Sequence, residues 1–264
     1  MIKELVEPGI IRITLDDERY YKVETDEGDI YHPAVTWILD SYPKGYGYYQ
    51  WLGNLPSFEE SQIILHDAGR RGSKVHGGIE RLLHRESLSI DDLVGDHTEP
   101  FTAKEWMYIV FFNAWYERYK PIIEAIEYTI INPEEGYGGT VDLRCLIDKG
   151  RFEKEPIFTG ELERWLIDWK TSANIYESAK CQIAAYWKAE QMLGDIDRAG
   201  IVRLGSKHKC GYEFWQDEGD LDHYYELFLN TKKIWAHENP EPEPKFIDVP
   251  ETLLLEEFNQ AKSA

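Results

Sequence analysis

Cysteine is scarce in this chain: Cys145, Cys181 and Cys210 are the only three among 264 residues. Their spacing matches no zinc pattern, and an odd count makes no disulfide framework, so an apolar core has to hold the fold. Long apolar runs are missing too; none approaches the roughly 20 residues that cross a bilayer. The first residues, Met1-Ile2-Lys3-Glu4-Leu5-Val6-Glu7, carry acids and lack the apolar core of a signal peptide. A soluble, cytoplasmic protein with no membrane partner is the expectation. Positive charge is in deficit as well, with 29 Lys and Arg against 49 Asp and Glu, a net charge of −20. A field of that sign repels polyanions and argues against a passive nucleic-acid coat. It leaves room for an enzyme with a locally basic channel, and it suits a site for divalent cations.

Aromatic residues are abundant. Nine Trp and seventeen Tyr exclude a disordered chain. The length allows one elaborated domain or two small ones. Alternation of Ile11, Ile13 and Leu15, then Tyr21 and Val23, predicts a strand or hairpin over 10–23 with a turn at Asp26–Asp29. A short helix follows at Val35–Leu39, and residues 42–56, rich in Tyr, Gly and Pro, read as an irregular aromatic loop. Phe58 to about Leu83 reads as a helix broken or bent near Gly69–Gly72. Thr102 with Glu105 forms a capping-box pattern for a helix running to Tyr119, ahead of Pro121.

From there the pattern changes. Strands are expected at Ile126–Ile131, Thr140–Ile147 and Leu162–Lys170, with a Gly136–Gly139 turn and a charged loop over 149–160. A helix over Ile175–Leu193, a strand pair at Gly200–Gly205 and Gly211–Trp215, and a helix over Leu221–His237 complete the series. The three prolines of Asn239–Lys245 predict an extended tail. This order predicts an α/β fold: a mixed central β-sheet flanked by helices, with an N-terminal helical part. The division expected is 1–120 for the hairpin and helical part and 121–264 for the core and C-terminal helix.

The chemistry centres on Asp168-Trp169-Lys170 at the end of the apolar run Trp165-Leu166-Ile167. Strand side chains alternate, so Asp168 and Lys170 share a face. A carboxylate there can bind a hard cation, and an ammonium can hold an attacking water or neutralise phosphate charge. Asp142, in Gly138-Gly139-Thr140-Val141-Asp142, lies on the preceding strand. Adjacent strands sit about 4.8 Å apart, so it can meet Asp168 across one metal ion. The glycines before it leave room for backbone or substrate to approach. Glu127, one strand earlier, is a further ligand or a water-holding base. Taken singly, each acid also reads as the polar tip or face of a strand. Gln182 and Tyr186, four apart, share one helix face.

Together these residues carry a likeness. Glu127, Gly139-Thr140-Val141-Asp142, Ile167-Asp168-Trp169-Lys170-Thr171-Ser172 and Gln182-Ile183-Ala184-Ala185-Tyr186 resemble the RecB-like branch of the PD-(D/E)XK nucleases, most of all its phage-type and mitochondrial exonucleases. Pro33-Ala34-Val35-Thr36 and the helix bearing His76 fit the same families, so the likeness covers roughly residues 33–205. It implies a restriction-endonuclease-like core. It also implies Mg²⁺ or Mn²⁺ on Asp142, Asp168, His76 and the Trp169 main-chain carbonyl. Lys170 would orient water, Glu127 would support the metal or its water, and Gln182 and Tyr186 would contact substrate or brace the lysine. Thr171 and Ser172 belong to the same substrate-side run. Some relatives hold an iron–sulfur cluster through four Cys; with three, none is expected here.

The basic runs Arg70-Arg71-Gly72-Ser73-Lys74 and Arg203-Leu204-Gly205-Ser206-Lys207 adjoin these elements. Arg70, Arg71, Lys74, Arg203 and Lys207 are therefore candidate phosphate contacts, and solvated turns are the plainer reading. The aromatic run Tyr42–Trp51 suits either stacking on unpaired bases or packing against the helical part. The expected activity is metal-dependent hydrolysis of DNA at single-stranded or duplex ends, in recombination, repair or phage DNA processing. A bacterial or phage-infected cell is the expected setting, and a recombination or single-strand-binding protein a conceivable partner. A structure-specific endonuclease, a non-catalytic DNA-binding module and an acidic DNA mimic are the rival readings.

Overall fold

The computed structural model describes residues 2–15, 18–205, 209–241 and 243–244. Two sheets and six helices make a mixed α/β fold. The N-terminal strands β1 (Ile2–Glu7), β2 (Ile10–Leu15), β3 (Glu18–Thr25) and β4 (Gly28–Pro33) form an antiparallel four-stranded sheet in chain order. The 10–23 hairpin is thus the centre of a larger meander. Its flanking strands were hidden in the sequence by exposed, charge-rich residues such as Lys3, Glu4 and Asp29.

Helices α1 (Val35–Leu39), α2 (Tyr46–Gly53), α3 (Phe58–Leu83) and α4 (Ala103–Tyr119) follow. Two expectations fail here. Residues 46–53 are helical rather than irregular. And α3 runs unbroken through Gly69–Gly72. A glycine costs a helix only about 1 kcal/mol. Against that, the Ser57 side chain caps the start of α3 by accepting from Glu60 N–H, and Val75, Ile79 and Leu83 bury its second half. The Thr102–Glu105 capping box forms as expected at the start of α4. The Glu105 carboxylate also accepts a hydrogen bond from buried Lys74 at 3.2 Å, which ties α3 to the first turn of α4.

The second sheet has the order β5 (Ile122–Asn132), β6 (Tyr137–Asp148), β7 (Leu162–Lys170), β8 (Arg198–Leu204) and β9 (Tyr212–Gln216). All its pairings are antiparallel except β7 with β8. That parallel pair is bridged by α5 (Glu177–Leu193), and α6 (Leu221–Glu238) packs on α5. The expected turn at Gly136–Gly139 ends earlier, because β6 already begins at Tyr137.

Helices cover the sheet on both sides, so its central strands are apolar on both faces. On β7, Leu166 packs with α1, α5 and α6, while Trp165, Ile167 and Trp169 pack with α3 and α4. Ala184, Ala185 and Ala189 are fully buried on α5 and let the helix sit close to the strands. The N-terminal sheet joins the core through the Ala34–Gly138 bridge and a 2.9 Å hydrogen bond between Tyr21 and Thr140. Among the described residues, no helix is long and apolar enough to cross a membrane.

After β6 the charged loop is organised by one side chain. The Asp148 carboxylate accepts hydrogen bonds from Gly150 N–H (2.8 Å), Gly160 N–H (2.6 Å), and the N–H and hydroxyl of Thr159. Desolvation opposes ionisation of Asp148, but these donors outweigh it and hold the carboxyl below its ordinary value of 3.8. The resulting stabilisation is present above that ordinary value and is lost as pH falls through the lower folded one. Amide exchange should therefore show Gly150, Thr159 and Gly160 protected near neutrality and deprotected in acid. Asp148→Asn should lower their protection at neutral pH and flatten its pH dependence. Unchanged protection in the variant would show that other contacts hold the loop.

Candidate metal and hydrolytic site

The site forms where two strands part. β6 and β7 pair from Asp148–Leu162 back to Leu143–Ile167. The next step in register sets Asp142 opposite Asp168, and there the ladder stops. The Trp169 N–H is left without a β6 carbonyl, and Asp142 Oδ2 accepts its hydrogen at 2.9 Å. On the other side, the pairs Ile126–Leu143 and Tyr128–Val141 bracket Glu127 opposite Asp142. Three acids from β5, β6 and β7 thus form one row across the sheet.

The alternation of side chains breaks along this row. A regular strand keeps residues 126, 128 and 130 on one face. Here Ile126 packs towards α3 and α4, whereas Tyr128 and Ile130 pack towards α5. Likewise Leu143, Cys145 and Ile147 face α3 and α4, but Tyr137 and Val141 face α5. Glu127 has φ of +45°, a left-handed conformation that is uncommon for a glutamate. That local strain resets the alternation and turns the acids towards the fork. Strain of this kind persists where surrounding contacts over-determine it, and it concentrates at functional sites.

Helix α3 brings His76 over the fork. Its Nε2 lies 3.1 Å from the Trp169 carbonyl oxygen. Its Nδ1 lies 3.6 Å from Asp142 Oδ1 and 3.8 Å from Glu127 Oε1. One ligand atom from each of His76, Glu127 and Asp142 fits within a mutual 4.8 Å. Glu127 Oε1 is buried without a hydrogen-bond partner. Two carboxylates, an imidazole and an orphaned oxygen suit a hard divalent cation such as Mg²⁺ or Mn²⁺.

Asp168 is held apart from that trio. Lys170 Nζ donates to its Oδ1 at 3.0 Å and lies 2.9 Å from its Oδ2, which is off hydrogen-bond geometry. Gln182 on α5 then ties the pair together. Its Oε1 accepts from Lys170 (3.0 Å) and its Nε2 donates to Asp168 (3.2 Å) and to the Tyr186 oxygen (3.1 Å). Tyr186 is only 3% exposed, and through it Gln182 is held between α5 and the Asp168–Lys170 pair.

Electrostatics follows from this crowding. Burial pushes Asp168 up to about 6, with Lys170 opposing the rise and Asp142 adding to it. Burial also raises Glu127. Burial works against the His76 imidazolium, yet Asp142 and Glu127 push it up to about 10. Burial likewise works against charge on Asp142 and Lys170, but opposite charges win at both. Asp142 is lowered by His76, Lys170 and the Trp169 N–H, and Lys170 is raised by Asp168 and Asp142. Without a cation, His76 and Lys170 supply the positive charge that the acid row needs.

Other expected site residues lie elsewhere. The Lys74 ammonium is turned into the protein, donating to the Pro100 carbonyl at 2.7 Å and to Glu105, so it is corrected from phosphate contact to interhelix brace. Arg203 is bound to Glu213 at 2.7 Å and to the Ala173 carbonyl at 2.9 Å, where it steadies the turn after β7. The Ser172 hydroxyl donates to the Asn174 carbonyl within that turn, and Thr171 faces α3 beside Gly72. Arg70 is exposed and Arg71 half-buried on α3. Lys207 lies outside the described residues.

The room at Gly138 and Gly139 is taken by protein rings rather than left for substrate. A Cβ on Gly139 would stand 2.3 Å from Tyr186 Cε1, and one on Gly138 2.8 Å from Tyr21. The part played by Tyr21 had no signal in the sequence, since its partner Thr140 is 119 residues away.

Set against protein-family models and curated proteins, the chain matches none.

Calorimetric titration with Mn²⁺ should show one high-affinity event in the native protein. It should weaken by roughly tenfold or more in Asp142→Asn, and also in His76→Ala and Glu127→Gln. Equal binding in all four proteins would remove the trio as ligands. Gly139→Ala should cost about 1–3 kcal/mol of stability in a denaturant melt, because it overpacks against Tyr186.

Proposed function

We propose that the chain is a metal-dependent DNA nuclease of the PD-(D/E)XK type, an exonuclease that hydrolyses phosphodiesters from strand ends. One observation carries the reading: two carboxylates and an imidazole within ligand distance of one another, and a braced ammonium beside them, lie at the fork between β6 and β7. The five-stranded mixed sheet with α5 crossing from β7 to β8 is compatible with such a core. The end preference rests on the likeness of the motifs to RecB-like exonucleases.

When bound by Asp142, Glu127 and His76, a divalent cation would polarise the scissile phosphate and lower the pKa of water. The remaining work falls to the chain's own groups. Lys170 keeps its proton beside Asp168 and Asp142, so it offers a fixed positive charge to the phosphate and a donor to the attacking water. Gln182 fixes the ammonium through Oε1 and fixes the Asp168 carboxylate through Nε2. Neither group then has to reorganise during the reaction. Asp168, held near the acid row, completes the charge balance and is a further ligand candidate. His76 orients the Trp169 carbonyl, the other oxygen at the fork.

An endonuclease on the same framework would cut a closed circle, which an end-dependent enzyme cannot. With Mn²⁺ or Mg²⁺, end-labelled linear DNA should be degraded and closed circular single-stranded DNA should survive. Asp168→Ala and Lys170→Ala should each fold but lose at least a hundredfold in rate. Cleavage of the circle would reassign the enzyme as an endonuclease. Full activity in both variants would refute the assignment of the site.

A further inference from the structure

The strands and helices that build the site leave one element unexplained. Helix α2 has eight residues, four of them aromatic: Tyr46, Tyr48, Tyr49 and Trp51. None of its side chains is buried, and Tyr46 and Tyr49 are 76% and 58% exposed. Tyr48 lies between Tyr49 and Trp51, with ring centroids 5.6 Å apart in both pairs. Tyr42, just before this helix, does pack against the core, so the exposure begins at α2 itself. A half-aromatic helix with no fully buried side chain gains little from its own chain.

Its place in the chain bears on its use. The segment that carries α2 leaves the core after Tyr42, which packs against the cluster of α1, α5 and α6. It returns at Val75 and His76, whose ring meets the Trp169 carbonyl at the end of β7. The second anchor adjoins the fork that holds the acid row. Between α2 and His76, α3 presents Arg70 and Arg71, and Lys44 precedes α2. None of these three forms an ion pair with a described residue, and Arg71 Nε has no hydrogen-bond partner. Elsewhere many cations of this acidic protein are spent on carboxylates, as at Arg144, Arg164 and Arg203. The acids nearest to α2 in sequence are Asp40 before it and Glu59 and Glu60 after it, and the latter two occupy the first turn of α3, where they complement its dipole.

We propose that α2 is a base-stacking platform for single-stranded nucleic acid, with Lys44, Arg70 and Arg71 as its phosphate contacts on the way to the fork. Tyr and Trp rings offer flat faces to any unpaired base, and a duplex keeps those faces stacked internally. Along α3, Phe58 at the α2 end stands 18 residues before His76, about 27 Å at 1.5 Å per residue, a span of several nucleotides. The inference deepens the nuclease reading by naming the form of the substrate, and it rests on that reading for the direction of the strand.

The test is binding of a fluorescein-labelled oligothymidylate 20-mer and of a blunt 20-base-pair duplex, read by anisotropy in EDTA. The native protein should bind the single strand more tightly than the duplex. Tyr46→Ala/Tyr49→Ala should weaken single-strand binding by roughly tenfold or more and leave the duplex unchanged. Because both residues are exposed, the variant should keep its circular dichroism and melting temperature. Unchanged single-strand binding, or an equal loss on the duplex, overturns the proposal. So does a native dimer that the substitution converts to monomer without loss of DNA binding, which would make α2 a self-association surface. EDTA separates the two readings: a protein that binds the oligonucleotide but does not cut it when Mn²⁺ is added refutes the nuclease and leaves the platform standing.

Discussion

A β-strand that leaves its neighbour strands a backbone donor, and a buried donor without an acceptor is costly. At the end of the β6–β7 ladder that donor is the Trp169 N–H, and the Asp142 carboxylate accepts it. The interaction repairs the fork and at the same time holds Asp142 in place, with its second oxygen towards His76. The nuclease reading depends on it. If β6 continued to pair with β7, Asp142 would have no reason to turn into the opening, and Glu127 and His76 would face no shared partner.

Two further layers keep that geometry. On the α5 side, Tyr186 holds Gln182, which holds Lys170 against Asp168, and the missing side chain of Gly139 lets the tyrosine in. On the other side, Lys74 joins α3 to the capping box of α4, two residues before His76. Each layer places its polar contact next to a tightly packed apolar cluster, so the side chains that meet at the fork have little freedom left to lose. The strain at Glu127 is tolerated within the same frame.

The charge of the protein fits this economy of cations. With 29 basic residues against 49 acids, basic groups are limiting, and many are committed to carboxylates that stitch elements together. The acid row is balanced locally by His76 and Lys170. Lys44, Arg70 and Arg71, left without ion pairs among the described residues, differ from other such cations in lying beside a helix of exposed aromatic rings. For a nucleic-acid enzyme of this net charge, such a short basic and aromatic track would mark where a strand can approach.

Much of the second sheet was legible in the sequence. The span of β7 was readable to the residue, because the apolar run Trp165-Leu166-Ile167 leads into Asp168-Trp169-Lys170 and stops at the polar pair Thr171-Ser172. The Thr102–Glu105 cap and α5 were readable for the same reason: their signals are local, a hydrogen-bond pair three residues apart and an apolar stripe at helical spacing. Asp168 and Lys170 could be placed on one face from strand alternation, whereas Asp142 and Glu127 could be named only from the adjacency of their strands and the likeness of the motifs. What remained hidden depends on contacts between residues far apart in the chain. These include the fork at Asp142, the reversal of facing at Glu127, the Tyr21 contact with Thr140 and the inward turn of Lys74. A sequence determines which chemical groups exist and which face of a strand or helix they can occupy. Only tertiary packing decides where a ladder stops and which side chain must then replace the missing backbone partner, because that choice is made by the two strands together.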